Sequence, residues 1–193
     1  PAKAMTMIGV TGTNGKTSTT LLLKQVLENC LGAKVGLIGT MANMVGEEVI
    51  PTERTTPESF ELQGLFARMR DAGCSHVVME VSSHAVTLER IGGTHFDIAA
   101  FTNLTEDHLD FHKTMEAYCE AKADLFRRCD RAVINADDSY ASAMLAAAAC
   151  PVLTTSVAEE KGLHAKNLEL LAEGIRFTAV CGEEQAEVRL PIP

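Results

Sequence analysis

The tightest constraint on this chain is the loop Gly12-Thr13-Asn14-Gly15-Lys16-Thr17, set between an apolar run, Met5 to Val10, and a helical stretch, Thr17 to Leu31. A strand that turns through glycines directly into a helix is the context that a phosphate-binding loop requires. Glycines let backbone N–H groups turn toward an anion, and the helix N-terminus adds partial positive charge. Lys16 can reach the outer phosphates of a triphosphate, and Thr17 can offer a hydroxyl to Mg²⁺. The spacing departs from the usual Gly-x-x-x-x-Gly-Lys-Ser/Thr in one respect: Val10 stands where the first glycine belongs, and Gly12 sits inside the loop. A chance Gly/Thr-rich turn is the bland alternative.

The rest of the chain alternates. Strands are expected at Val35 to Ile38, His76 to Val81, Phe96 to Phe101, Ala132 to Asn135 and Val152 to Thr155, with a hairpin over Met41 to Ile50. Helices are expected from Thr56-Pro57 to Ala72, from Met115 to Cys129 and from Ser139 to Ala149. His76 to Val81 is almost continuously apolar, as a strand buried on both faces should be. This alternation predicts an α/β fold of the P-loop type, a mostly parallel sheet flanked by helices with right-handed crossovers. The tail follows a different pattern. Asn167 to Leu171, Ile175 to Val180 and Ala186 to Leu190 alternate with period two and predict a small antiparallel meander. The expected organisation is one domain over 1–193, a parallel core over 1–160 and the meander over 161–193.

The formal charge of −9 argues against a nucleic acid or an anionic membrane as partner. The longest apolar run is too short to span a bilayer, and no charged-then-apolar leader opens the chain. The six cysteines show no CxxC pair, which suits buried, reduced thiols in a cytoplasmic protein. A start at Pro1 and a stop at Pro191-Ile192-Pro193 read as a segment of something longer.

Three further features carry chemistry. Glu80 closes its strand, and an acid at the C-terminal end of a parallel strand points into the ligand crevice, where it can hold Mg²⁺. An ordinary strand-end carboxylate is the rival reading. Lys122 follows Tyr118 by four residues and precedes Phe126 by four, so it falls on the buried stripe of its helix. A lysine there either snorkels to water, the commoner outcome, or is buried with a depressed pKa. A neutral amine can add CO₂ and become a carbamate, a metal ligand. Asn103 to His112 holds two histidines and three acids just after a strand; it is either a cation site or a solvated loop with a helix cap.

Together these pieces resemble the central domain of the Mur ligase family. The loop Gly12 to Thr17 is similar to that family's variant phosphate loop, which accounts for Val10. Asn103-Leu104-Thr105-Glu106-Asp107-His108-Leu109-Asp110 and Asn135-Ala136-Asp137-Asp138 are similar to two further family motifs. Thr55-Thr56-Pro57 and Glu80-Val81-Ser82-Ser83-His84 look like the branch that adds the third stem-peptide residue, meso-diaminopimelate or L-lysine. The resemblance covers nearly the whole chain. It implies that Gly12, Thr13, Asn14, Gly15, Lys16, Thr17 and Ser18 wrap the ATP phosphates. Thr17 and Glu80 would serve one Mg²⁺; His108 and a carbamylated Lys122 would serve a second. Thr55, Thr56, Ser82 and Arg90 would hold the UDP-muramoyl dipeptide. Members often have Gln where this chain has Leu88 and Asn where it has Arg54.

The implied reaction is ATP-driven amide formation in peptidoglycan precursor synthesis. The D-glutamyl carboxylate takes the γ-phosphoryl group to form an acyl phosphate; the amine of a free amino acid then displaces phosphate. Lys16 and two Mg²⁺ would screen the repulsion between carboxylate and triphosphate, with Lys122 and His108 anchoring the second ion. A sugar-nucleotide domain would precede Pro1 and an amino-acid-selecting domain would follow Pro193, so the segment alone would be incomplete for turnover. Two rivals remain: a folylpolyglutamate synthetase-like ligase, and a P-loop switch or regulatory ATP-binding module without ligase activity.

Overall fold

A computed structural model describes residues 1–191; Ile192 and Pro193, the end of the expected 161–193 meander, lie outside the described residues. The chain opens with a short 3-10 turn, Ala2–Ala4, and enters β1 (Thr6–Thr11). Then follow α1 (Lys16–Leu31), β2 (Val35–Ile38), β3 (Asn43–Val45), β4 (Glu48–Ile50), α2 (Ser59–Asp71) and β5 (His76–Glu80). After α3 (Ser83–Thr87) come β6 (Phe96–Phe101), α4 (Leu109–His112), α5 (Met115–Ala123), β7 (Cys129–Asn135), α6 (Ala141–Ala147) and β8 (Val152–Ser156). The tail is β9 (Leu163–Leu171), β10 (Gly174–Cys181) and β11 (Glu184–Leu190).

Among the described residues, all eleven strands form one sheet in the order β11-β10-β9-β8-β7-β6-β1-β5-β2-β3-β4. β2, β5, β1, β6, β7, β8 and β9 run parallel, and the two ends are antiparallel. The fold is therefore the α/β class expected, with the antiparallel meander joined edge-on to the core. That joint is narrow: only Thr155↔Leu163 and Ser156↔His164 pair across it.

Alternate residues of the central strands enter different apolar clusters, the physical mark of strands buried on both faces. Met7, Val77 and Met79 pack with Leu62, Phe66 and Met69 of α2 and with Tyr118 and Phe126. Ile8, Val78, Val35 and Leu37 face the other way, against Leu23 and Leu27 of α1. β1 lies between β5 and β6. The connection through α1 leaves on one side of β1, and the later chain returns on the other. The C-terminal edge around β1 is thus the topological switch point, the crevice where such sheets bind ligands.

Several expectations are corrected. α2 starts at Ser59, not at Thr56-Pro57, because the Thr56 hydroxyl is engaged elsewhere: it donates to Glu80 O at 2.8 Å and accepts from Ser82 N at 3.1 Å. The helix expected over Met115 to Cys129 stops at Ala123; Asp124–Arg128 tighten into a 3-10 turn, and Cys129 already belongs to β7. The cysteines are free, but Cys30 and Cys181 are exposed rather than buried. No helix among the described residues is long and apolar enough to cross a membrane.

Candidate active site

The loop after β1 is shaped by its glycines. Gly12 has φ 148°, and a Cβ there would collide with the Thr102 hydroxyl. Gly15 has φ 83° and caps α1 without any side-chain hydrogen bond, so no side chain of the cap occupies the first-turn N–H groups. The loop after β6 clamps it from the far side of the crevice. Thr13 N donates to Asn103 O at 2.8 Å, Asn14 N to Asn103 Oδ1 at 3.0 Å, and Thr102 Oγ1 to Asn14 O at 2.7 Å. Asn103 is thus a structural clamp that the sequence motif contains but does not explain.

Lys16 folds over this loop, its ammonium donating to Gly12 O at 2.9 Å and Thr13 O at 2.8 Å. Burial pulls its pKa down, while Glu80 and Asp107 push it back up. A cation held over glycine-rich backbone with unused helix N–H groups fits a polyphosphate.

Glu80, 1% exposed, ends β5 beside the loop. Its Oε1 accepts from Thr17 Oγ1 at 3.0 Å and Thr40 N at 2.8 Å; its Oε2 accepts from Thr40 Oγ1 at 3.0 Å. All these donors are neutral, and no ammonium or guanidinium pairs with Glu80 among the described residues. A buried carboxylate held by neutral donors alone, facing the first turn of α1, fits a divalent cation that also meets a phosphate. Thr40 was missed by sequence reasoning because it lies in a loop without a motif; it also bonds Thr55 Oγ1 at 3.0 Å.

Lys122 does not snorkel: it is 1% exposed, and its ammonium donates to Gly12 O at 2.8 Å. It also sits 4.5 Å from the centre of the Tyr118 ring. Burial and the nearby Lys16 charge drive its pKa down to about 7, so a large fraction of the amine is neutral near physiological pH. Tyr118 reaches the loop itself, its hydroxyl 3.2 Å from Thr13 Oγ1.

His108 stands half-exposed at the end of the 103–108 loop with φ 54°, its Nε2 3.5 Å from Asp107 Oδ2. Its ring meets Tyr118 edge-on at 6.0 Å. The Asn103 to His112 stretch is not a cation site by itself. Among the described residues no group of three or more His, Cys, Asp or Glu side chains converges, and His112 turns inward to Ser83 Oγ at 2.8 Å. An ion there would need ligands of other kinds, which is what a carbamate or a phosphate oxygen would supply.

The four residues expected to hold an acceptor lie on the other flank. Thr56 ties the end of β5 to the 51–58 loop through the two bonds of its hydroxyl. Ser82 Oγ accepts from Ala85 N at 3.2 Å and caps α3. Arg90 donates to Thr56 O at 3.3 Å and pairs with Glu58 at 3.0 Å, while its buried Nε has no partner. Thr55 meets Thr40. Thr55, Thr56, Ser82 and Arg90 are therefore brought together around Glu80 and Thr40. Ser18 alone of the loop residues makes no side-chain contact that the geometry uses. A separate apolar groove of about 690 Å³ starts beside Thr19 and Thr102, passes Asn135 and Thr155, and ends against Phe177 and Val188 of the meander.

Fold and site together are those of a phosphate-loop α/β module with a buried carboxylate beside the loop. The comparison with known sequences narrows this: the Mur ligase middle domain matches residues 10–193, and the chain belongs to that family. The UDP-N-acetylmuramoyl-L-alanyl-D-glutamate–2,6-diaminopimelate ligase of Caldanaerobacter subterraneus subsp. tengcongensis is 47% identical over 194 residues, covering 100% of this chain and 40% of the relative. A solved structure of a ligase of the same name superposes with a TM-score of 0.91 at 31% identity, over 99% of this chain and 40% of that one. A single-substitution mutant of L. casei FPGS, 21% identical with a TM-score of 0.76 over 98% of this chain and 54% of that one, shares the fold alone. The chain thus spans about two-fifths of the length of the curated relatives it matches.

Proposed function

We propose that this chain is the nucleotide-handling part of an ATP-dependent amide ligase that joins 2,6-diaminopimelate to UDP-N-acetylmuramoyl-L-alanyl-D-glutamate in the cytoplasm. The observation that carries the reading is the buried Glu80 carboxylate facing Thr17 across the mouth of the phosphate loop. The names of the relatives supply the substrates.

In this reading Lys16 and the N–H groups of Gly15 to Ser18 bind the β- and γ-phosphates, and the groove beside Thr19 and Asn135 gives the nucleoside a place to lie. Mg²⁺, when bound, supplies charge neutralisation between the phosphates and the incoming carboxylate. Thr17 and Glu80 are its protein ligands; His108 and carbamylated Lys122 are those of a second ion. Thr55, Thr56, Ser82 and Arg90 grip the acceptor so that its carboxylate enters in line with the γ-phosphoryl group. Gly12 O accepts from both Lys16 and the unmodified Lys122, so both side chains end beside the phosphate loop.

The test uses the full-length protein. ADP release is measured with and without UDP-N-acetylmuramoyl-L-alanyl-D-glutamate, and with 2,6-diaminopimelate or L-lysine as amine donor. The reading requires release that depends on the acceptor and prefers 2,6-diaminopimelate. Nucleotide hydrolysis indifferent to the acceptor would point to a switch module and sink it. Carbon-13 spectra of protein supplied with labelled bicarbonate test the carbamate: no carbamate carbon in wild type, or one that persists in Lys122→Met, removes that part.

A further inference from the structure

Three histidine rings crowd the crevice, and two are already explained. His112 is bonded to Ser83 Oγ, and His108 belongs to the proposed second ion. His84, on α3, is the third. Its ring packs on Phe111 at 4.1 Å and meets His108 edge-on at 4.9 Å. It is only half-buried, and among the described residues neither ring nitrogen makes a hydrogen bond. Its carbonyl is used: Leu88 N donates to His84 O at 2.8 Å, and Arg90 N donates to the next carbonyl, Ala85 O, at 2.8 Å. These bonds bring Arg90 back beside α3, and the ring feels the charges of His108, Arg90, Asp110 and Lys122.

An apolar residue would pack on Phe111 at lower cost. A polar ring partly removed from water without a protein partner is unfavourable unless something else bonds it. The flanking groups say what that is. Arg90, whose charge acts on the ring as that of Asp110 also does, and Ser82 are both given to the acceptor in the reading above, so the acceptor's carboxylate is the partner at hand. A neutral imidazole adds one N–H donor to that flank.

We infer that His84 donates a hydrogen bond to the reacting carboxylate of the acceptor and holds it as its oxygen approaches the γ-phosphoryl group. The inference rests on the ligase reading above and adds one substrate contact to it. No proton needs to move: the N–H of His84 first bonds the carboxylate oxygen and then the acyl oxygen.

The experiment compares full-length wild type with His84→Phe and His84→Asn. The phenylalanine keeps the aromatic packing and removes the donor; the asparagine restores an N–H near the Nδ1 position. With UDP-N-acetylmuramoyl-L-alanyl-D-glutamate as the varied substrate, His84→Phe is expected to lose about 10- to 100-fold in kcat/KM, the size of one hydrogen bond to a charged group. The KM for ATP should stay within about twofold of wild type, since ATP is held by Lys16 and the loop N–H groups, which His84 does not touch. His84→Asn should recover at least a third of the lost activity on a logarithmic scale. An acceptor kcat/KM for His84→Phe within threefold of wild type overturns the inference, as does an equal loss on ATP and acceptor, or His84→Asn no better than His84→Phe. Wild-type protein that releases no acceptor-dependent ADP overturns the ligase reading and this inference together, so the two failures are told apart by the wild-type control.

Discussion

At the scale of single residues, Lys122 and Lys16 share one carbonyl yet differ in what surrounds them. Lys122 is nearly sealed from water and its pKa falls from 10.5 to about 7. Between those two values the unfolded chain holds a proton on this amine that the folded chain does not. The unfolded state therefore binds more protons, and this residue's contribution to stability rises with pH across that window and is flat below it. Urea unfolding of bicarbonate-free wild type and Lys122→Met at pH 6.5 and pH 9 should show wild type gaining on the variant at the higher pH; parallel changes would contradict the lowered pKa of the buried amine. For Lys16→Ala, ATP affinity measured by calorimetry should fall about 10- to 100-fold, the worth of charge-assisted hydrogen bonds to phosphate. Unchanged affinity would mean the loop is not the phosphate site. The place of Lys122 on a buried stripe was legible in its four-residue spacing from Tyr118 and Phe126. Its contact with Gly12 was not, because nothing in local spacing says which of two elements, 110 positions apart, will touch. Thr40 was illegible for the same reason: its partner Glu80 is 40 positions away, at the end of the neighbouring strand β5.

At the scale of elements, the site hangs on short helices. α5 carries Tyr118 and Lys122 in only nine residues, too few to be stable by propensity alone. Its start is fixed by Thr114 Oγ1, which accepts from Ala117 N at 3.1 Å. Thr114→Ala should cost about 1 kcal/mol in chemical unfolding, the usual worth of such a cap; a loss under about 0.3 kcal/mol would show that packing alone holds the helix. The strands flanking the crevice were read from their apolar runs almost to the residue, since burial on both faces leaves little freedom in composition. α3 and α4 escaped detection because five and four residues are too short for a period to register. The start of α2 was misread because Thr56 has the chemistry of a cap but spends its hydroxyl on β5, a choice that only the tertiary structure reveals.

At the scale of the whole molecule, the division of the chain into a 1–160 core and a 161–193 meander is a proposal that the β8–β9 joint makes testable. Gly162 turns the chain into β9 with φ 63°, and a Cβ there would run into the Thr154 carbonyl oxygen. Gly162→Val should loosen the joint while leaving the inner strands alone. In hydrogen exchange, amides of β9–β11 should lose protection and those of β1, β5 and β6 should keep theirs. Loss of protection in all strands together would mean that core and meander are one cooperative unit.

The central position of β1 has a consequence for how the loop comes into being. β1 is made early, but its partners are His76–Glu80 and Phe96–Phe101, and the clamp on Thr13 and Asn14 comes from Asn103. Bringing such distant segments together is slow, because chain-closure entropy is lost before any contact repays it. Until residues past 100 are present, the stretch around Gly12 lacks β6 on one side and the Asn103 clamp that gives it shape. During synthesis the nucleotide site therefore matures late, and ATP capture reports that the centre of the sheet has closed.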